Sequence, residues 1–325
     1  DWYKKDTKDW LLPAPILSSW GVTDPPFING GDIRNQGTEI ALKWRERIGE
    51  FQYQINANFS NNNNEVTRID NAQGIIEASD VKLWGNGPSI ARAEVGYPVG
   101  YFWGYETDGL FQNMEDVENY TNSEGDVIMP DAQPGDVIFV DKNDDGAISD
   151  DDKVMIGDPN PDYIYSLNMN ASYKGFDLSI NTNGVAGNQI ARKFHDAGSP
   201  LDNYTTRILD RWTGEGTSNE IPRVQNGSSI NQQYTSDLDI EDGDYWRISN
   251  LTFGYDFKNI MPGSPLSQAR LYVTAQNLYT FTNYSGMDPE IGTSTSDDNY
   301  GWVKGVDIGF YPSPRTYMVG LNLKF

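Results

Sequence analysis

From Phe51 to Ser60 the chain alternates without a break, with Phe51, Tyr53, Ile55, Ala57 and Phe59 on one side and Gln52, Gln54, Asn56, Asn58 and Ser60 on the other. Successive side chains of a strand point to opposite faces, so this segment is a ribbon with one apolar face and one face of amides and hydroxyls. The pattern returns at Tyr163, Tyr165, Leu167, Met169, Ala171 and Tyr173, and at Phe176, Leu178 and Ile180. Further copies are Leu251, Phe253, Tyr255 and Phe257; Leu271, Val273 and Ala275; Tyr317, Val319, Leu321, Leu323 and Phe325; and Ile40, Leu42 and Trp44. A sheet face in bulk water carries Lys and Glu between its apolar residues. These strands carry mostly Asn, Ser, Gln and Thr, which suits a watery lumen behind a lipid-facing surface. Segments of about ten residues are what a tilted strand needs to cross a bilayer, and Tyr163, Tyr173, Tyr279, Phe281 and Tyr317 at their ends fit interfacial girdles. A soluble antiparallel sandwich also alternates, so the pattern alone leaves both environments open.

Loop lengths favour the bilayer. Ile48-Gly49-Glu50 and Lys174-Gly175 are tight turns, residues 258–268 make a moderate connection, and 60–162, 185–244 and 280–314 are long. Outer-membrane barrels keep short turns in the periplasm and long loops outside. If strand 315–325 ends in the periplasm, every short connection falls on one side and every long one on the other. The expected fold is all-β: an antiparallel transmembrane β-barrel portion with strands at about 39–47, 51–59, 163–173, 176–184, 245–257, 269–279 and 315–325 and with long extracellular loops. Asp1-Trp2-Tyr3 reads as the stump of one more strand. Open strand edges are prohibitive in lipid, because each bare N–H or C=O costs several kcal/mol. The missing strands are therefore expected from another polypeptide, the N-terminal part of the same gene product.

Charge and composition remove other functions. Forty-seven acidic against 24 basic residues give a net charge of −23, which repels a phosphate backbone, so no nucleic-acid partner is expected. With no cysteine and a single histidine, His195, there is neither a thiolate nor a histidine cluster for catalysis or metal binding. His195 reads as a surface residue. Carboxylate pairs abound in so acidic a chain and do not by themselves define a glycosidase dyad; the chain is not expected to be an enzyme.

One acidic stretch has a spacing of its own. Asp141-Lys142-Asn143-Asp144-Asp145-Gly146-Ala147-Ile148-Ser149-Asp150-Asp151-Asp152 puts oxygen donors at positions 1, 3, 5, 9 and 12 of an EF-hand-like loop with glycine at 6. Asp141, Asn143, Asp145, the Ala147 carbonyl, Ser149 and Asp152 are the expected ligands of a structural Ca²⁺. Asp152 stands where such loops carry Glu, which weakens binding. The competing reading is a solvated acidic turn. Trp103, Tyr105, Trp212, Tyr284, Tyr300 and Trp302 fall in the outer loops or near the lumen mouth, where flat rings beside Asp and Asn can grip a ligand or a lid protein; packing the loops together is the plainer role. Asn61 to Asn64 reads as a solvated tip.

The motifs along the chain resemble the C-terminal part of the SusC-like TonB-dependent outer-membrane transporters of Bacteroidetes. They begin with Gly31-Asp32-Ile33-Arg34-Asn35-Gln36-Gly37-Thr38-Glu39-Ile40, similar to the family's I-x-N-x-G-x-E entry to a strand. Gly100 to Gln112, Pro134-Gly135-Asp136 with the acidic loop, Ile156 to Tyr163, Glu241 to Tyr255, Ala275 to Glu290 and Tyr311 to Tyr317 follow in family order. The resemblance implies a barrel of about 22 strands, plugged by an N-terminal domain that this chain lacks and paired with a SusD-like surface lipoprotein that closes as a lid. It implies import of an oligosaccharide or peptide ligand with energy passed on by TonB. The alternating end Tyr317 to Phe325 also resembles the signal read by barrel-assembly machinery. A soluble β-sandwich adhesion module with a calcium loop is the alternative from a different class, and a surface glycan hydrolase a third.

Overall fold

The computed structural model describes residues 1–13, 26–78, 81–83, 89–193, 203–225, 230–261, 263–292 and 301–325. One antiparallel sheet holds eight strands in chain order: β1 (Trp2–Pro13), β2 (Phe27–Ile48), β3 (Phe51–Ile69), β4 (Tyr163–Tyr173), β5 (Phe176–Ala186), β6 (Tyr245–Asp256), β7 (Gln268–Thr282) and β8 (Thr316–Lys324). Each strand pairs with the one before it, as in the wall of an up-and-down barrel. The sheet is open, and β1 and β8 are its two edges among the described residues.

Local chemistry sets the turns. Tyr173 and Phe176 close the β4–β5 hairpin; Lys174 at φ 47° and Gly175 at φ 88° are both left-handed, as a two-residue hairpin of this hand requires. Register then carries each strand's alternation across the sheet. Trp44, Ile55, Met169, Ile180, Leu251, Ala275 and Tyr317 form one row over seven strands. One residue along, on the other face, lie Lys43, Asn56, Asn168, Asn181, Asn250, Gln276 and Thr316.

Among the described residues no second sheet covers the apolar face. Trp44 is 61% exposed, Leu321 60% and Val319 75%. A soluble sandwich would bury these rows. The buried core lies in the long loops instead. One cluster gathers Leu83, Ile90, Phe102, Val303 and Val306, another Leu110, Phe111, Val117, Val137 and Phe139, and a small third joins Val66 and Ile69 at the loop end of β3 to Ala93.

The wall is taller than the alternation alone suggests. At about 3.3 Å per residue, the 22 residues of β2 span about 70 Å, well over the roughly 30 Å hydrocarbon core. Asn61 to Asn64 lie inside β3 and are not a solvated tip. Asn62 accepts from the Tyr3 hydroxyl (2.8 Å) and Asn64 donates to Asn35 (2.9 Å) and accepts from the Val99 amide (2.8 Å). Asn61 donates to the Asp162 carbonyl (3.0 Å). A run of short amides satisfies backbone and side-chain partners on both sides, which is why it works as a seam.

Placing a charge on the apolar face of a barrel costs about 2–4 kcal/mol near the bilayer midplane. Val273→Arg is therefore expected to lower the folded, heat-modifiable fraction of the assembled receptor in membranes. Gln276→Arg, on the opposite face of the same strand, should leave that fraction unchanged.

Candidate functional site: the lumen wall and its crown of loops

From β3 to β7 the inward face is mostly a field of neutral hydrogen-bonding groups, and β2 adds Lys43, Arg45 and Arg47 at its side. Above the row of Asn56, Asn168, Asn181 and Asn250 lie Asn58, Ser166 and Asn183 in register, and below it Gln54, Asn170, Ser179, Thr252 and Thr274. Neighbours bridge one another: Asn58 donates to Ser166 (3.1 Å), Gln54 to Asn56 (3.2 Å), and the Thr252 and Thr274 hydroxyls meet at 2.8 Å. An amide offers more donors and acceptors than these bonds use, so the wall keeps hydrogen-bonding capacity toward the lumen.

The loops form a crown with secondary structure of its own. Strands Ile75–Glu77, Ala91–Glu94, Tyr101–Gly104 and Val154–Gly157 make a four-stranded sheet. A short helix, Met114–Asn119, is started by Asn113, whose side chain accepts from the Asp116 amide while Asp116 caps in return. The two longest loops interlock. Arg223 donates twice to Asp136 (2.8 and 3.1 Å), which is 1% exposed and also accepts from Gln225 and Asn231. Thr107 donates through its hydroxyl and amide to Asp237. Burial pushes the Asp237 and Asp158 carboxyls above the ordinary range. Between residues 106 and 152 fifteen acidic side chains face one lysine, so the chain's negative charge is concentrated in the crown.

The aromatic residues separate by surroundings. Tyr105 and Tyr284 are buried; burial, with Asp150 and Asp307 beside them, pushes both phenols up, and the Tyr284 hydroxyl donates to Asp307 (2.6 Å). Trp302 packs against two core clusters and edge-on to Trp10 of β1, centroids 6.0 Å apart. Trp212 is half-buried against the second cluster, donates to Gln112 (3.3 Å), and lies so close over Gly135 (φ 89°) that any side chain there would collide with its ring. Trp103 is also half-buried, with the Arg92 guanidinium 4.2 Å from its ring centroid. Tyr300 and His195 lie outside the described residues.

In the acidic loop the oxygens turn onto the loop's own amides. Asp141 accepts from Asp144 (2.7 Å) and Gly146 (2.8 Å), Asn143 from Asp145 (3.0 Å), and Asp145 from Ala147 (3.0 Å). Asp152, fully buried, accepts from Lys142 (2.8 Å) and Ser149 (2.7 Å), and the Ser149 hydroxyl accepts from Asp151 (3.2 Å). Asp144 and Gly146 take positive φ to make the curl. Among the described residues no three His, Cys, Asp or Glu side chains are grouped to hold a metal ion.

A site that sequence reading passed over is Arg247, on β6 at the lumen mouth and 4% exposed. It donates to Thr280 (2.9 Å) and Glu290 (2.7 Å), pairs with Asp288, and sits 5.3 Å from the Tyr245 ring. Asp288 in turn accepts from the Glu290 and Ser313 amides. The guanidinium thus holds the first part of the last long loop, and through Asp288 that anchor reaches the far end at Ser313. Burial works to raise the Asp288 carboxyl, but the two amides and Arg247 outweigh it and hold it below the usual value. The available signal was an arginine in an otherwise neutral row, within reach of Asp288-Pro289-Glu290.

The chain is 31% identical over its whole length to TonB-dependent receptor P3 of Formosa agariphila, covering 32% of that protein. It is 26% identical over its whole length to TonB-dependent receptor SusC of Bacteroides thetaiotaomicron, covering 30% of it. The chain belongs to the SusC-like TonB-dependent receptors. It spans about a third of the length of these curated relatives, matching their C-terminal part. Its fold is that of the RagAB peptide transporter structure, with a TM-score of 0.72 at 20% identity, covering all of this chain and 33% of that one. No protein-family model matches the chain. SusC-like receptors are outer-membrane barrels, so the exposed apolar rows face lipid and the amide rows face the lumen.

Removing Arg247 leaves Asp288 half-buried without its cation, and breaking a pair of that kind costs about 3 kcal/mol. Arg247→Ala in the assembled receptor is expected to open residues 283–292 to protease, and Arg247→Lys to do so partially, because an ammonium lacks the fork that reaches three partners. A carboxyl lowered in the fold stabilises at neutral pH and loses that contribution as pH falls through its folded value. Protection of this loop should therefore hold from neutral pH down to about 4 and decline below it.

Proposed function

We propose that this chain supplies one part of the wall and the outer crown of a TonB-dependent importer that takes an oligosaccharide or peptide fragment across the outer membrane. The observation that carries the reading is the broad amide and hydroxyl face of β3 to β7 beneath interlocked loops, on a sheet whose other face suits only lipid. Such a lining exchanges hydrogen bonds with a polar polymer without trapping it by charge, and nothing in the conduit has to make or break a covalent bond. The open edges at β1 and β8 pair with the remaining strands of the same receptor, because unpaired backbone in hydrocarbon is too costly to persist. That N-terminal part carries the plug and the TonB contact, and a SusD-like lipoprotein closes over the crown, with Trp103 and Trp212 as the half-exposed rings available to the ligand or the lid. Relatives carrying the names SusC and RagAB support this division of labour.

Deleting the gene is expected to abolish growth on one class of oligomer, glycan or peptide, and the full-length receptor should restore it and co-purify with a lipoprotein. Unimpaired growth on every oligomer would end the import reading.

We also propose that the Asp141–Asp152 loop takes a structural Ca²⁺. Its donors follow the expected spacing and the loop already curls, and each carboxylate oxygen keeps a second lone pair beyond the amide that it accepts from. Because the loop closes on its own amides, the cation adds to a formed turn and binds weakly, with a dissociation constant on the order of 0.1–1 mM. Millimolar Ca²⁺ should slow proteolysis between residues 136 and 158 in the assembled receptor, and Mg²⁺ should not. Identical cleavage with and without Ca²⁺ would defeat this assignment.

A further inference from the structure

Near the turn end of the wall, the outer face carries a gap in its apolar surface. Tyr53 of β3, Ala171 of β4 and Leu178 of β5 form one row, with Ile55, Met169 and Ile180 in the row next to it, farther from the turns. Ala171 is the only small side chain among the six, and it floors a trough of about 290 Å³ lined by Phe51 and these residues. The flanking strands lie two strand spacings apart, about 10 Å, which leaves room between Tyr53 and Leu178 for a single hydrocarbon chain.

The trough is held open. The Trp44 indole donates to the Tyr53 hydroxyl (3.2 Å), that hydroxyl donates to Glu46 (2.7 Å), and Phe51 stacks on the Tyr53 ring with centroids 5.6 Å apart. The Tyr53 wall therefore cannot swing down to fill the gap. Three residues past Ala171, about 10 Å along the strand, the hairpin presents the Lys174 ammonium 3.4 Å from the Glu50 carboxylate, and both side chains are more than half exposed.

We propose that this trough binds one acyl chain of a phospholipid in the periplasmic leaflet, with the lipid phosphate on Lys174 and a headgroup amine on Glu50. The leaflet follows from position, since the trough opens toward the short turns and a lipid of the opposite leaflet would have its headgroup at the crown. The headgroup class follows from charge. A zwitterion matches a lysine and a glutamate side by side, whereas an anionic headgroup would meet Glu50 and Glu46 as well as the single ammonium. The proposal rests on the barrel standing in the outer membrane with its turns in the periplasm, and does not depend on what the receptor imports.

The test uses the complete receptor, assembled in membranes, extracted in mild detergent and exchanged into nanodiscs of phosphatidylethanolamine mixed with phosphatidylglycerol. Native mass spectrometry is expected to find about one retained phosphatidylethanolamine per receptor. Ala171→Phe, which fills the floor, and Lys174→Asn, which removes the charge while suiting the left-handed backbone at this position, should each lower retention at least several-fold. Equal retention in wild type and both variants, preference for phosphatidylglycerol, or no retained lipid in the wild type would overturn the assignment. Should Ala171→Phe fail to assemble, the exposed turn variant decides alone. Failure of the wild type to appear as a heat-modifiable outer-membrane species would count instead against the membrane placement.

Discussion

A peptide group inside hydrocarbon has no water to bond to, and that single fact organises this chain. It requires that every strand crossing the bilayer be paired along its length, which β2 to β7 achieve through long antiparallel registers that shift near Asp32 and around Ser249. Once pairing fixes the register, side-chain alternation is no longer local. A row such as Trp44, Ile55, Met169 and Ile180 becomes a stripe of a surface, and its neighbour Lys43, Asn56, Asn168 and Asn181 becomes a stripe of the opposite one. Lipid contact and lumen chemistry are two consequences of one pairing pattern.

The division of charge follows from the same arrangement. Carboxylates are tolerated where water reaches them, so the acid accumulates in the crown, where 106–152 alone is almost uniformly negative. The wall's inner rows stay close to neutral. The exceptions are local: Lys43, Arg45 and Arg47 line the inner side of β2, Arg247 fastens a loop, and Arg270 of β7 reaches over Gly254 of β6 to pair with Asp177 of β5 near the turns.

The wall was legible in the sequence because a period of two over ten residues, repeated with loops of alternating length, has few physical solutions. Chemistry visible in single residues also reached the turn at Lys174-Gly175. The crown was not legible. Its strands are two to four residues long, too short for a period to register, and Phe102, Phe111 and Phe139 become core only in clusters gathered from separate stretches of the chain. Asn61 to Asn64 misled for a related reason, since a polar run looks the same whether its partners are water or the Tyr3 hydroxyl and the Val99 amide. Arg247 needed partners some forty positions away. The aromatic residues singled out for ligand contact illustrate the same limit: composition proposes a ring, and only packing says whether it has a free face.

The buried bond between Asp136 and Arg223 joins segments that leave the wall at different hairpins. Asp136 is shielded from water and takes two further partners, Gln225 and Asn231, from that same second segment, with the Gln133 amide of its own loop as the local one. Were homologous recombination to replace the second segment alone, it would leave the buried Asp136 carboxylate with only its local Gln133 amide, and replacing the first alone would leave Arg223 without its carboxylate. New specificities in receptors built this way would therefore arise by exchange of both loops together, making the pair, and not the single loop, the unit on which diversification acts.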